Sequence, residues 1–283
     1  DPMPYVLPPD DVIFHGTTSI GVTLFCDRKL SAEVLLKQAD VALYQAAVDE
    51  RARGAGLGEA LILGVTPEIG TLAWPEGARV TALDRSREMI DKVWPGNPED
   101  AVEGDWCAPP FAAGRFDMAF CDGGFHVLDP RQQAAFVAGL GRIVVAGGIV
   151  ALRLYLPPAT RETPDDVIRA LGAGAVASMN ALKLRLAHAL AGRPEEGVML
   201  DAIWRALHDR IGNRDHVFDR LGWSREGVAM IDLYRGSAAR YYFDRPEAIR
   251  AVLEGGGAFR LLRTDATAQP MGDQCVHVRL ERR

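Results

Sequence analysis

The sequence predicts an α/β fold in which a doubly wound, mostly parallel sheet carries a helical insertion and a short N-terminal appendage. Three observations predict it. Short apolar runs alternate with helical stretches from Leu61 to about Leu156; each run stops at a polar or glycine-bearing turn; and the block from about 160 to 250 is helical in pattern. The runs "ALILGV", "ARVTAL" before Asp84, "RFDMAFC" before Asp122 and "GGIVALRLYL" before Pro157-Pro158 are too short for buried helices. They read as strands covered on both faces. Between them, "SREMIDKVW" has Ser86 as an N-cap, and "DPRQQAAFVAGLGRIV" has Asp129 as cap with Pro130 at the first helical position. Strand–helix alternation with short connections makes a parallel sheet, and ligands of such sheets bind outside the carboxyl ends of the strands. Asp84, Asp105 and Asp122 fall at or just after such ends.

In the insertion, "TPDDVIRALGAGAVASMNALKLRLAHALA" and "GVMLDAIWRALHDRI" are helical, and "SREGVAMIDLYRG" begins with an imperfect capping box at Ser224. The closing runs "AFRLLRTD" and "QCVHVRLER" suit an antiparallel pair at the sheet edge.

Composition narrows the function. A chain of 283 residues that is 48% hydrophobic and 25% charged buries a substantial core. A net charge of −6 and a pI near 5.6 argue against a general nucleic-acid binder. Cys26, Cys107, Cys121 and Cys275 form no CxxC pair, and His208, His216 and His277 lack metal-ligand spacing. No apolar stretch reaches the roughly 18 residues of a membrane span. These features predict a soluble, cytoplasmic protein with reduced thiols and no metal site.

The segment "TTSIGVTLFCDRKLSAEVLLKQADVALYQA", residues 17–46, resembles the C-terminal part of a GGDEF (diguanylate cyclase) domain, with a strand at Ser19–Val22 and a helix at Leu35–Ala46. The active-site signature of that family does not precede it, and "DGGFH" at 122–126 has the wrong order and position. A strand and a helix make no core alone, so this piece, residues 1–46, is expected to pack on the domain at 47–283 without making a cyclic dinucleotide.

The turn "LILGVTPEIG", residues 61–70, poses the chemical question. A dinucleotide fold sets a pyrophosphate on a glycine-rich helix N-terminus. Here Pro67 removes an N–H donor and Glu68 adds a negative charge, repulsive to pyrophosphate by roughly a kcal/mol or more. NAD and FAD are disfavoured. S-adenosylmethionine (SAM) carries an ammonium, a sulfonium and one carboxylate but no phosphate, which suits a turn with one glycine, a hydroxyl and an acid. Glu68 either faces the ammonium or complements the helix dipole. Asp84 suits the ribose hydroxyls or caps the next helix; Asp105 suits the adenine amino group, with Trp106 as a flat wall or a core residue. The two glycines of "CDGGF" let backbone pass close to a ligand.

The ordered set "LILG", "VTALDRSREMI", "EGDW", "GRFDMAFCDGGFHVLD" and "GLGRIVVAGGIVALRLYL" resembles a class I SAM-dependent methyltransferase of Rossmann-like fold, over residues from about 41 to 283. The "LGVTPE" turn resembles a poorly characterised branch. The chain departs from the family pattern at Ile62, where an acid is usual, and at Thr66 and Glu68, where glycines are common. The resemblance implies a SAM site of Gly64, Val65, Thr66, Glu68, Asp84, Arg85, Met89, Gly104, Asp105, Trp106, Asp122 and Gly123, and methyl transfer to a small-molecule acceptor. Asp122 and His126 are the candidate catalytic residues, at the edge of the expected transfer site. Trp204, Trp223, Tyr234, Arg235, Arg240, Tyr241 and Tyr242 mix flat apolar surface with donors and suit an aromatic or anionic acceptor, or else ordinary packing. The alternative is a catalytically silent methyltransferase fold serving as a ligand sensor or partner-binding module.

Overall fold

The computed structural model describes residues 32–266, 271 and 274–283. The strand expected at Ser19–Val22 lies outside them. Strands β1 (Glu59–Leu63), β2 (Arg79–Asp84), β3 (Ala101–Glu103), β4 (Phe116–Asp122), β5 (Val144–Tyr155), β8 (Phe259–Ala266) and β9 (Cys275–Arg282) form one sheet in the order β3-β2-β1-β4-β5-β9-β8. The first five pair in parallel; β9 runs antiparallel between β5 and β8, the closing pair that the sequence predicts.

The apolar runs are continuous because both faces are covered. Leu61, Leu63, Cys121, Leu152 and Val278 point to the face packed by α4 (Pro130–Ile143) and α10 (Pro246–Gly255), which contribute Phe136, Leu140, Ile249 and Leu253. Ala60, Ile62, Met118, Phe120 and Ala151 point to the other face, against Tyr44, Ala47 and Val48 of α1 (Ala32–Gly54). This helix contains the predicted helical stretch 35–46 and continues unbroken to Gly54, so the boundary drawn at 46/47 falls inside one element. A short α3 (Arg87–Val93) covers the β2–β3 end through Ile90. As predicted, Ser86 Oγ caps α3 by accepting from Met89 N–H at 3.2 Å, and Asp129 opens α4 with Pro130 at its first position.

The insertion has its own core, built by α5 (Pro164–Gly172), α6 (Met179–Leu190), α7 (Leu200–His208), α8 (Arg214–Leu221) and α9 (Arg225–Ala229). A two-stranded ribbon, β6 (Val198–Met199) with β7 (Arg240–Tyr241), adds strands that the sequence pattern does not predict. The insertion ends before Pro246, since α10 belongs to the sheet core rather than to the helical block.

Candidate active site at the strand ends

The parallel strands β3, β2, β1 and β4 bring their carboxyl ends together in a row. At β1, Gly64 takes φ +96°, a conformation that favours glycine, and its N–H donates to Leu83 O at 2.8 Å. The chain then makes a single helical turn, α2 (Pro67–Gly70), not a full helix. Glu68 lines an open groove of about 400 Å³ with Val41, Ala42, Gln45 and Asp49 of α1. The groove borders the one-turn helix whose first turn holds Glu68.

At β2, Asp84 Oδ1 accepts from Ser86 N–H at 2.8 Å. Ser86 is the cap, so Asp84 is spared that role; its Oδ2 has no partner among the described residues. Beside it Arg85 is exposed, and Met89 is 45% exposed, a large apolar side chain standing open at this rim. Gly104 N–H donates to Asp84 O at 2.9 Å, and exposed Asp105 folds its Oδ1 onto Cys107 N–H at 2.9 Å.

Trp106 and the glycines differ from the expectation. The indole N–H donates to Leu83 O at 2.7 Å. Its ring then wedges between two turns: a Cβ on Gly64 would lie 3.5 Å from it, and a Cβ on Gly124 would lie 2.8 Å from it and from Cys121 Sγ. A Cβ on Gly123, at φ +71°, would lie 2.7 Å from the Tyr155 hydroxyl. At Gly123 and Gly124 the protein's own side chains already leave no room for a Cβ. Trp106 is a spacer between β1 and β4.

His126 is corrected as a catalytic candidate. It is fully buried, and both ring nitrogens are engaged: Nε2 accepts from Tyr155 N–H at 2.8 Å, and Nδ1 lies 2.9 Å from Tyr242 O. The Tyr155 donor fixes the tautomer, leaving the proton on Nδ1 for the Tyr242 carbonyl. Burial depresses its pKa to about 4. With Tyr242 N–H donating to His126 O at 2.8 Å, the residue joins the insertion to the tips of β4 and β5.

Asp122 is held as tightly. Arg153, its register partner on β5, reaches Oδ1 at 2.5 Å and Oδ2 at 2.8 Å, and the Tyr44 hydroxyl donates to Oδ1 at 3.0 Å. With both oxygens engaged by neighbouring donors, Asp122 fits a positioning role better than the proton-transfer role expected of it. Tyr44, Arg153 and Tyr155 are site residues that the sequence pattern does not single out. An arginine within the buried run "GGIVALRLYL" is the one available signal, since charge is almost never buried without a partner.

The insertion residues split into separate contacts. Arg235 lies 5.3 Å over the Trp204 ring, which stacks on His208 at 3.9 Å. Trp223 stacks on Phe218, and Arg240 donates to Glu196 O at 2.9 Å. The Tyr234 and Tyr241 hydroxyls are 2.8 Å apart. Among the described residues no group of acids, cysteines and histidines is arranged to hold a metal, and no helix is long and apolar enough to cross a membrane.

Residues 61–152, from β1 to β5, match a family model described as a methyltransferase domain. No curated protein matches the chain. Similar solved structures include a "Putative Zn-dependent Alcohol Dehydrogenase" of Rhodobacter sphaeroides, 19% identical over 83% of this chain and 88% of that one, TM-score 0.49. The PH0226 protein of Pyrococcus horikoshii OT3 is 11% identical over 87% and 92%, TM-score 0.48. The N-methyltransferase NodS of Bradyrhizobium japonicum WM9, in complex with S-adenosyl-L-homocysteine, is 11% identical over 84% and 85%, TM-score 0.43. At these levels the structural likenesses assign no activity.

Proposed function

We propose that this protein is a SAM-dependent methyltransferase acting on a small molecule. The observation that carries the reading is the row of strand ends: within the stretch matching a methyltransferase domain, Gly64, Asp84, Gly104-Asp105 and the tip of β4 stand side by side. The donor chemistry fits a phosphate-free adenosyl ligand. Asp84 keeps Oδ2 available for ribose hydroxyls, Asp105 offers an exposed carboxylate to an amino group, and Met89 supplies apolar surface to a flat base. The same acids, with Pro67 at the start of a one-turn helix, disfavour pyrophosphate. When bound, SAM supplies a methyl group on a positively charged sulfur.

The chain's own part is alignment and exclusion of water. Asp122 and His126 are committed to Arg153, Tyr44 and backbone groups, so the acceptor brings a lone pair that needs no deprotonation by either. Those commitments also favour a second reading, a silent ligand-binding module. The acceptor side is assigned to the insertion and the neighbouring phenols of Tyr155, Tyr234 and Tyr241. Burial raises all three phenol pKa values, so they act as neutral hydrogen-bonding groups beside an aromatic or anionic molecule.

Titration calorimetry with SAM and with S-adenosylhomocysteine tests the proposal. Binding is expected, and Asp84→Ala is expected to weaken it about tenfold or more, as for a lost charge-assisted hydrogen bond. No binding of either ligand at millimolar concentration removes the methyltransferase reading. Binding without turnover across a broad acceptor panel leaves the sensor.

A further inference from the structure

α1 runs along β4 and is bolted to both of its ends. At the amino end Arg51 Nη2 meets Asp117 Oδ1 at 3.0 Å, while Asp117 Oδ2 accepts from Gly58 and Glu59 N–H. At the carboxyl end the Tyr44 hydroxyl meets Asp122 Oδ1 at 3.0 Å. The separations agree: seven helical residues span about 10 Å and five strand residues about 17 Å, a difference that side chains of this length take up. Tyr44 is only 3% exposed, and its ring is fixed by His277 at 4.4 Å and by an edge contact with Phe120 at 5.9 Å. Burial and the adjacent Asp122 carboxylate raise its pKa, so the hydroxyl stays protonated and donates.

On the other side of Asp122 the chain turns at once. Gly123 is left-handed, and the turn Gly124–Val127 leads into α4. The Asp122 carboxylate is thus anchored one residue before a turn that follows the strand paired with β1, whose end leads to Gly64. Tyr44 reaches that carboxylate from a different layer of the fold.

We infer that Tyr44 is a positioning residue for the tip of β4, acting through Asp122, and that it couples the docking of α1 to ligand binding at the strand ends. Its effect on ligand affinity rests on the SAM reading; its effect on the tip does not.

The test uses the full chain, with Tyr44→Phe, Asp122→Asn and the double variant. Tyr44→Phe keeps the ring against His277 and Phe120 and removes only the hydrogen bond. Amide hydrogen exchange without ligand is expected to quicken at residues 122–127 in Tyr44→Phe while α4 and the insertion exchange as in the parent. Calorimetry with S-adenosylhomocysteine is expected to give a dissociation constant raised about three- to tenfold by Tyr44→Phe, the size of one hydrogen bond. In the Asp122→Asn background the same change should have little further effect. An unchanged or uniformly quickened exchange pattern overturns the inference, as does an equal affinity loss in both backgrounds. If the parent binds no adenosyl ligand, the methyltransferase reading falls and the exchange pattern alone decides Tyr44. It also decides alone should Asp122→Asn fail to fold.

Discussion

His126 illustrates how little a residue type says about its use. An imidazole at the tip of β4 has the position expected of a base, yet its nitrogens serve Tyr155 N–H and the Tyr242 carbonyl in the buried interior. Replacing it with alanine leaves a cavity and two unmatched backbone groups, so His126→Ala is expected to cost about 2–4 kcal/mol of stability in urea unfolding. A loss below about 0.5 kcal/mol would mean the latch is unimportant. Gly124 makes a related case. A methyl group there meets Cys121 Sγ and the Trp106 ring at 2.8 Å, both on constrained side chains, so Gly124→Ala is expected to destabilise by about 1–3 kcal/mol and to disturb the Trp106 fluorescence environment. Had the glycine served only a ligand's approach, the apo protein would tolerate the change.

Elements whose signals are local are legible in the sequence. α4 shows why: Asp129 accepts from Arg131 and Gln132 N–H at 2.9 Å, and the Gln132 side chain returns to Asp129 N–H, a reciprocal cap written in four consecutive residues. Asp129→Ala is accordingly expected to lower stability by about 1 kcal/mol, read as a shift in the urea midpoint. The strands are equally readable, because a buried parallel strand must be apolar on both faces. Asp84, Gly64 and Asp105 are readable as strand-end residues for the same reason: the alternation of elements fixes where strands stop. The partners of Asp122 are not. Arg153 lies opposite it only through the β4–β5 register, and Tyr44 only through the docking of α1, relations that depend on packing rather than on spacing along the chain. Trp106 is illegible for another reason. An indole can serve as wall or wedge, and the carbonyl of Leu83, on a different strand, decides which.

At the scale of the whole molecule, the buried histidines impose a dependence on acid. Burial holds His126 near pKa 4, and holds His188 and His277 near 3; His126 adds to the depression of His188, and Arg153 and Arg279 to that of His277. In the unfolded chain each returns to an ordinary value of about 6.5. Above that pH both states are neutral and the groups contribute no pH dependence. As pH falls below about 6.5, the unfolded chain takes up protons that the native interior refuses, so stability falls with decreasing pH. The loss continues until the native pKa values are reached, a window from about 6.5 to 4 for His126 and to about 3 for the other two. With three protons taken up on unfolding, the slope approaches about 4 kcal/mol per pH unit, steep enough to consume the stability of an ordinary domain before pH 4. Urea midpoints measured every half unit from pH 7.5 to 4.5 are expected to be flat above about 7 and to fall steeply below about 6. A midpoint unchanged between pH 7 and 5 would show that the interior admits these protons. His188→Phe offers the sharper comparison. His188 already packs its ring on Phe243 at 4.2 Å, and its Nε2 is buried without a hydrogen-bond partner among the described residues, so an apolar ring suits the site. That variant is expected to lose about one third of the slope while keeping the fold, whereas His126→Ala also loses its latch and falls in stability at every pH.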